Sequence, residues 1–474
     1  SLTSTTPSPS NSRFTLSTVG GFRQARFQAN QTVSSGGSTW AFHTGSTGSP
    51  NYNPCWRPSL SSQLLSANTF IPTSFNNGAL YQATSGGNDG QLPAITSGNY
   101  YTFNVSANGG SSNVMSLLET GFNPVSISSV SNAAGTYGSR VITITTGATP
   151  NGSENIFVRY STNSYSSSTL VQATGSGTTW TATIPWQSAA VSFYVYSSSK
   201  SKSTIDADVS TNGQGAHDMA TLSLNNNSGS NYSYTPPTGA VIVSSTGGTF
   251  ANQIGYATLT VAGGAFAAIN SAASGTGTIT ILVTADVSTE TGATSLNSSA
   301  NWTSLAMQPL GNRTLSGTSS AGSPLINLNG ADNVNINGLN DGTNSLIISN
   351  LVSSTTAGTS TIRFIADAVN DTLQNCTVKG ISNPASSSLP TGGVVFLSTG
   401  TTTGNTGILI TNNTITAGTA LPGCLIFSLG TSLSVANVAT VSNNNLSDWA
   451  ITSSNANAAI YVDGTGNTGW TITG

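Results

Sequence analysis

The feature that most constrains the fold is a six-residue pattern that returns at regular intervals in the C-terminal half of the chain. It reads LQNCTV, ITNNTI and VSNNNL, with an aliphatic residue at each end and asparagine in the third position. The first positions lie 37, 31 and 31 residues apart and are Leu373, Ile410, Val441 and Ile472. Such a period, without helical spacing between the copies, is typical of a parallel β-solenoid.

A second set of apolar segments keeps the same period. STIRFIAD, GVVFLST, GCLIFSL and AAIYVDG each precede one copy of the pattern, and their aromatic residues step by 32, 31 and 34 residues. These aromatic residues are Phe364, Phe396, Phe427 and Tyr461. Two unrelated markers with one period predict stacked coils that each contain two or three short strands.

Stacking would place the first positions of the pattern in one buried column, with about 4.8 Å between coils. The asparagines in the third position would mark a corner between two sheets and share amide hydrogen bonds as a ladder; they are Asn375, Asn412 and Asn443. Because Ile472 lies part-way through a coil, we expect the natural protein to continue past Gly474. We therefore predict a parallel β-helix over residues 237–474 that is incomplete at its C-terminal end.

Upstream of residue 237, apolar residues alternate with small polar ones, as in half-buried strands. RVITITTG, ENIFVRYST, TTWTATIPW and VSFYVYSSS predict an immunoglobulin- or fibronectin-like β-sandwich over 126–236, closed by a hairpin that turns at Asn225 to Gly229. An aromatic-rich segment predicts another antiparallel β-sandwich over 13–125, and the Ser/Pro-rich residues 1–12 predict a flexible lead. Helical spacing is nearly absent, so the predicted fold class is all-β.

Composition removes several classes of function. Only 5% of residues are charged, and eleven Lys and Arg against fourteen Asp and Glu leave too few cations to neutralise a run of phosphates. Nucleic acids and acidic membrane surfaces are therefore not expected partners, and no apolar run is long enough to span a membrane. The cysteines, Cys55, Cys376 and Cys424, show no zinc-binding spacing, and we predict no resident metal.

The segment LSLNNNSGSNYSYT and the LITNNTI-type repeats that follow it resemble parts of the modular proteins that bacteria export through the type IX secretion system. Such proteins often join sandwich domains to a right-handed, pectate-lyase-like β-helix, and the resemblance covers residues 126–474. It implies right-handed winding, contact with the secretion machinery, and a final location outside a Gram-negative cell or on its surface. It implies no particular activity, since members include adhesins and polysaccharide-degrading enzymes.

The candidate catalytic residues are aspartates in the repeats, because β-helix polysaccharide enzymes place carboxylates on neighbouring coils. If Val334 aligns with Leu373, then Asp332 and Asp371 lie on adjacent coils. With Asp367 close by, they could share a proton or bind Ca²⁺. The alternative, which we favour, is that these carboxylates cap backbone N–H groups in turns, as Asx residues commonly do.

Two further sets of residues have both a functional and a structural interpretation. Trp40, Tyr52 and Trp56 could form an aromatic platform for sugar rings, although core packing explains aromatic residues in a sandwich equally well. His217 and Asp218 could belong to a catalytic triad, but no nucleophile motif accompanies them, which favours a structural role.

The tripeptide Asp371-Thr372-Leu373 matches the short O-glycosylation motif that the resemblance implies. Thr372 is therefore a glycosylation candidate, although three residues also match by chance.

The sequence predicts an extracellular adhesin or structural surface protein rather than an enzyme. A surface with few charges has little self-repulsion, so neutral glycans, other surface proteins or copies of the same chain are the expected partners. The alternative is a polysaccharide lyase or glycoside hydrolase that uses the β-helix groove and carries an N-terminal carbohydrate-binding module.

Overall fold

The architecture comes from a computed structural model. It describes residues 17–19, 22–29, 32, 39–40, 42–45, 50–58, 80–83, 90–91, 94–106, 115–272, 277–298, 302–386, 389–450 and 457–474. These residues fall into two compact units, the first within Ser1–Asn132 and Val141–Thr235 and the second within Ala133–Arg140 and Pro236–Gly474. Across the described ranges, no helix is long and apolar enough to cross a membrane.

The first eighteen strands are short. In chain order they are β1 (Ser17–Val19), β2 (Phe22–Gln28), β3 (Thr39–Trp40), β4 (Phe42–Gly45), β5 (Pro50–Pro58), β6 (Leu80–Ala83), β7 (Gly90–Gln91), β8 (Tyr100–Ser106), β9 (Met115–Thr120), β10 (Ile127–Ala134), β11 (Arg140–Thr146), β12 (Asn155–Ser161), β13 (Thr169–Gln172), β14 (Thr174–Ser176), β15 (Thr179–Ile184), β16 (Val191–Ser198), β17 (Ser223–Asn225) and β18 (Tyr232–Tyr234).

These strands form several sheets. Two have the orders β1-β2-β8-β9 and β10-β11-β15-β14, and a third has the order β13-β12-β16-β17, with β18 also on β16. Smaller sheets are β3-β7 and β4-β5-β6. The alternating sequence of β11 buries Ile142 and Ile144 on one face, where they join Ile156, Val158 and Phe193 in one hydrophobic cluster. The predicted alternation of one buried and one exposed face thus holds for β11, whereas β12 and β16 are buried along almost their whole length, on both faces.

The predicted hairpin around Asn225 to Gly229 is wrong in its pairing. Strands β17 and β18 do not pair with each other. Instead, β17 pairs with Val195 to Ser197 of β16 and β18 pairs with Val191 to Phe193, so both lie along the same edge of β16. The eight residues of β16 are long enough to receive both. The loop between them does contain left-handed backbone, with φ of 52° at Asn227 and 56° at Ser228.

Helices interrupt the strands at three places in the described ranges, where the sequence predicts almost none. They are α1 (Lys202–Asn212), α2 (Ala216–Met219) and α3 (Ala265–Asn270), and 3₁₀ turns lie at Thr136–Gly138, Asn227–Gly229 and Gly248–Phe250. The hydroxyl of Ser201 caps α1 by accepting the Thr204 N–H at 3.2 Å. This satisfies one of the N–H groups that a helix start leaves unpaired.

The remaining strands belong to the second unit. They are β19 (Val241–Ser245), β20 (Ile254–Tyr256), β21 (Gly277–Val283), β22 (Val287–Glu290), β23 (Leu296–Asn297), β24 (Trp302–Pro309), β25 (Asn312–Gly317), β26 (Pro324–Asn329), β27 (Val334–Asn337), β28 (Ser345–Asn350), β29 (Ser360–Ile365), β30 (Thr372–Gln374), β31 (Cys376–Gly380), β32 (Ala385–Ser386), β33 (Leu389–Pro390), β34 (Val395–Leu397), β35 (Ile408–Thr411), β36 (Thr414–Ala417), β37 (Cys424–Ser428), β38 (Ala439–Ser442), β39 (Asn445–Leu446), β40 (Ala458–Val462) and β41 (Thr471–Thr473).

Most of these strands lie in three sheets that each gain one strand per repeat. Their orders are β20-β19-β21-β24-β27-β30-β35-β38-β41, β22-β25-β28-β31-β36-β39 and β23-β26-β29-β34-β37-β40. Within these sheets, from β21 onward, successive strands pair in parallel one repeat apart, as β30 does with β35 and β35 with β38, whereas β32 and β33 form a separate antiparallel pair. The chain therefore visits the three sheets in turn.

The first positions of the repeated pattern occupy one register column. Leu373 pairs with Ile410, Ile410 with Val441, and Val441 with Ile472. The side chains of Leu373, Ile410 and Val441 are buried, whereas Ile472 on the last strand is 53% exposed. The buried members belong to a single hydrophobic cluster that runs through the second unit.

The aromatic marker contains one misaligned residue. The structure pairs Arg363 with Phe396 and places Phe364 beside Leu397, within the hydrophobic cluster. A shift of one residue turns a strand side chain to the opposite face of its sheet. Phe364 is therefore a core residue, whereas Phe396 and Phe427 form a separate cluster.

The all-β prediction is confirmed at the level of a mostly β chain with several sheets. The division into a lead at 1–12 and domains at 13–125, 126–236 and 237–474 stays a prediction.

Candidate functional site

The aspartates proposed for catalysis lie just before strands of the second unit. Leu373 pairs with Ile336 rather than with Val334, so the expected alignment is two residues out. As a result, Asp371 lies beside Val334, whose N–H donates to Asp371 Oδ1 at 2.8 Å. Asp332 lies one step further back, and its carboxylate accepts an N–H at 2.9 Å from Val369.

Asp371 is a buried acid with an incomplete set of partners. Its side chain is fully buried, and its Oδ2 has no hydrogen-bond partner among the residues that the structure describes. Burial, with a smaller contribution from the charge of Asp332, raises its pKa to about 8. The carboxyl is therefore largely protonated at neutral pH, and its full burial keeps a polymeric substrate from reaching it.

Asp367 has a different environment. Its Oδ1 accepts N–H groups of Thr401, Thr403 and Gly404 at 2.8, 3.2 and 2.9 Å. Its Oδ2 accepts the Thr402 N–H at 2.8 Å and the hydroxyls of Thr401 and Thr402. Burial alone would raise the pKa of this carboxyl, but the hydrogen bonds outweigh it and hold the pKa well below its ordinary value. Asp367 thus organises the loop of the next repeat.

The three aspartates do not present matched carboxylates to one surface. Asp332 is exposed, Asp367 is half-buried and Asp371 is buried, and each accepts backbone N–H groups of a neighbouring repeat. In the part of the chain that the structure describes, no group of three or more His, Cys, Asp or Glu side chains could hold a metal ion. The arrangement suits turn capping.

The corner asparagines divide their work with the residues that follow them. Asn375, Asn412 and Asn443 have left-handed backbone, with φ of 56°, 56° and 53°, a conformation that asparagine tolerates better than most residues. The amide ladder runs chiefly one position later, where Asn413 Nδ2 donates to Asn444 Oδ1 at 3.0 Å. At Asn412-Asn413 and Asn443-Asn444 the first asparagine therefore turns the chain and the second joins the repeats, whereas Asn375 does both, since its Nδ2 donates to Asn337 Oδ1 of the preceding repeat at 2.9 Å.

Cys376 occupies the position equivalent to Asn413 one repeat earlier. Its N–H donates to Asn413 Oδ1 at 2.9 Å. Burial raises the pKa of its thiol to about 12, so the thiol stays protonated and unreactive.

Sequence reasoning missed a second amide ladder. Asn405 and Asn437 are fully buried, and Asn405 Nδ2 donates to Asn437 Oδ1 at 2.8 Å. Asn437 Nδ2 in turn donates to the Ser398 carbonyl at 2.8 Å and to Ser428 Oγ at 3.0 Å. The signal was present, because Asn405, Asn437 and Asn467 recur with the period of the other markers.

Thr372, the glycosylation candidate, lies in the middle of a sheet. Its backbone pairs with Asn335 on one side and Leu409 on the other, and its side chain is half-buried.

A groove lies on the face of the third sheet opposite the core. Its floor follows Arg363, Phe396, Phe427 and Tyr461, which are successive register partners on β29, β34, β37 and β40. The ring centroids are 5.0 Å apart for Phe396 and Phe427 and 5.9 Å apart for Phe427 and Tyr461. The groove encloses about 670 Å³, and its other lining residues include Leu389, Pro390, Thr391, Leu429 and Asp463.

Arg363 is the cation of this groove. Its Nε donates to Asn327 Oδ1 at 3.0 Å, and no ion pair to it occurs within the described ranges. Burial lowers the pKa of its guanidinium, yet this group stays charged in proteins.

The proposed aromatic platform of the N-terminal domain falls on strands β3 and β5. Trp40 lies in β3, and Tyr52 and Trp56 lie in β5. Their side chains lie outside the described part of the structure.

His217 and Asp218 belong to a buried polar network around Arg159. Arg159 Nη1 donates to the Tyr194 hydroxyl at 2.5 Å and lies 3.7 Å from Asp218 Oδ1. His217 Nδ1 lies 3.0 Å from the Tyr196 hydroxyl, and its ring is buried. The pair therefore fills a structural role.

The His217 ring predicts a loss of stability in acid. Burial, with the charges of Arg159 and Lys202, lowers its pKa to about 3. Between about pH 6.5 and 3 the unfolded chain binds a proton that the folded chain does not bind. The free energy of unfolding therefore decreases as the pH falls through this range, by at most about 1.4 kcal/mol per pH unit. Relative to His217→Gln, we expect the wild type to lose stability between pH 7 and 4.5 in urea titrations. Parallel curves for the two proteins would contradict this.

Comparison with protein-family models, with curated proteins and with solved structures finds no match to this chain.

Proposed function

We propose that this chain is an extracellular adhesin or structural surface protein, exported by the type IX route from a Gram-negative bacterium. In this proposal its second unit is a right-handed parallel β-helix, and its first unit contains two β-sandwiches. The observation that carries the proposal is the use of polar groups between repeats. Hydrogen bonds of polar side chains join neighbouring repeats, which stiffens a stack. The side chains that make them are Asn405, Asn437, Asn413 and Asp367.

The proposed partners are neutral glycans, other surface proteins or copies of the same chain. With 5% charged residues, such contacts depend little on ion pairs. We expect the full chain to co-sediment with insoluble neutral polysaccharides, or to form larger assemblies in sedimentation velocity runs, equally at 0.1 and 1 M NaCl. The absence of both behaviours would contradict the proposal.

A polysaccharide lyase or glycoside hydrolase, with Ca²⁺ as its one plausible cofactor, is the second candidate. The raised pKa of Asp371 favours it, because perturbed carboxyl groups concentrate at active sites. Burial of Asp371 and the turn-capping bonds of Asp367 weigh against it.

An activity screen separates the two candidates. We expect no chain shortening when the protein is incubated with plant and algal polysaccharides, with or without Ca²⁺. Cleavage that disappears in Asp332→Ala or Asp371→Ala would establish the enzyme instead. Asp341→Ala, which removes an exposed carboxylate from another loop of the same unit, is the matched control.

A further inference from the structure

We propose that the groove above Arg363 and the aromatic row binds a small amphipathic carboxylate, meaning one carboxylate on an aromatic or aliphatic body. This inference goes beyond the proposed surface function and does not depend on it. The volume of about 670 Å³ lies within the range of small-molecule sites.

The middle ring of the aromatic row, Phe427, has no free face. Phe427 lies between Phe396 and Tyr461, and the interplanar angles are 25° and 29°. Both faces of Phe427 are therefore covered by neighbouring rings, and its side chain is 2% exposed, so the part of this ring that can meet the groove is its edge. Ring edges carry the positive part of the aromatic quadrupole and favour anionic oxygen atoms. Sugar rings, which stack on aromatic faces, find no such face at Phe427.

Arg363 supplies the matching charge at one end of the row. Only its Nε has a hydrogen-bond partner among the described residues, so the two terminal nitrogens remain for a ligand. A guanidinium binds a carboxylate through two parallel N–H···O bonds, and partial removal from water strengthens them. Arg363 is half-buried, which provides that condition.

The rest of the groove fits the apolar body of such a ligand. Leu389, Pro390 and Leu429 contribute apolar surface to the lining. Asp463, three strands away from Arg363 along the stack, would repel a second carboxylate. The ligand is thereby oriented with its single carboxylate toward Arg363.

A peptide strand is a poorer occupant. Peptides add to sheets through unpaired backbone groups at an edge. The groove lies on a sheet face, where Phe396 and Phe427 pair with strands on both sides.

The test uses 4-phenylbutyrate and its uncharged amide, 4-phenylbutyramide, with the full chain in calorimetric titrations. We expect the acid to bind at least tenfold more tightly than the amide. Arg363→Gln should abolish this preference. Arg363→Lys should reduce it, because lysine keeps the charge but cannot donate two parallel N–H···O bonds to one carboxylate. Arg313→Gln is the matched control, since Arg313 is half-buried on β25 and lies outside the groove.

Equal affinities for acid and amide, no binding of either, or an unchanged preference in a folded Arg363→Gln protein would overturn the proposal. Circular dichroism of each variant establishes that it is folded. Binding of polysaccharide in the sedimentation assay should be the same for Arg363→Gln and the wild type, so the two proposals fail separately.

Discussion

Replacement of Ile410 by alanine is expected to lower the free energy of unfolding of the second unit by about 2–5 kcal/mol. Ile410 is fully buried and lies in register between Leu373 and Val441. Removing three carbons there leaves a cavity between two repeats that backbone pairing on both sides keeps open. The loss therefore includes both the transfer term and the cavity term.

Ile472→Ala is the matched control for Ile410→Ala. Ile472 occupies the same column on the last strand, but its side chain is 53% exposed. We expect a change within about 0.5 kcal/mol, as for most exposed positions. Urea titrations followed by tryptophan fluorescence measure both variants. Equal losses at the two positions would show that the column is not what holds the repeats together.

The period and the buried column could be predicted because both follow from one repeated requirement. The position that Ile410 occupies has equivalent neighbours in every repeat, namely Leu373 and Val441 for Ile410 itself. The residue at this position is therefore aliphatic in each repeat, while the loops change. The asparagines at the turn are constrained in the same way, since their left-handed backbone admits few residue types.

The register of individual side chains could not be predicted in the same way. The loops between strands differ in length from repeat to repeat, and an error of one residue moves a side chain to the other face. This is why the sequence period aligns Phe364 with Phe396, although Phe364 lies in the core and Phe396 lines the groove. The sequence period alone does not place Arg363 in line with Phe396, Phe427 and Tyr461. That placement, and with it the groove, follows from the register.

The helix α1 was missed for another reason. Among its described residues, Ile205 is the one that is fully buried. The helix therefore lacks the apolar stripe by which most helices are recognised in a sequence. Local signals stabilise it instead: the Ser201 cap and an ion pair of 2.5 Å between Lys202 and Asp206. A search for caps and for charge pairs four residues apart would have found it.

Replacement of Asp371 by asparagine is expected to stabilise the second unit in alkaline solution. The folded pKa of about 8 lies above the ordinary value of 3.8, so between these values the folded chain holds a proton that the unfolded chain releases. Stability therefore falls as pH rises through this window, by up to about 1.4 kcal/mol per pH unit. The direction is opposite to that expected for His217.

The asparagine side chain keeps the useful part of the interaction. Its carbonyl oxygen can accept the Val334 N–H as Asp371 Oδ1 does, and it carries no charge that burial must penalise. We expect the variant and the wild type to agree within about 1 kcal/mol at pH 5. At pH 9 the variant should be more stable by on the order of 3–5 kcal/mol.

Urea titrations of both proteins at pH 5, 7 and 9 measure this difference. Asp332→Asn serves as the second variant, because Asp332 is exposed and its charge contributes to the raised pKa of Asp371. Removing that charge lowers the pKa of Asp371. At pH 9 we therefore expect Asp332→Asn to be more stable than the wild type, but by less than Asp371→Asn is. A stability difference between Asp371→Asn and wild type that does not change with pH would mean that Asp371 is ionised in the folded protein. In that case the carboxyl reaches solvent, and its role as an acid or a ligand would have to be reconsidered.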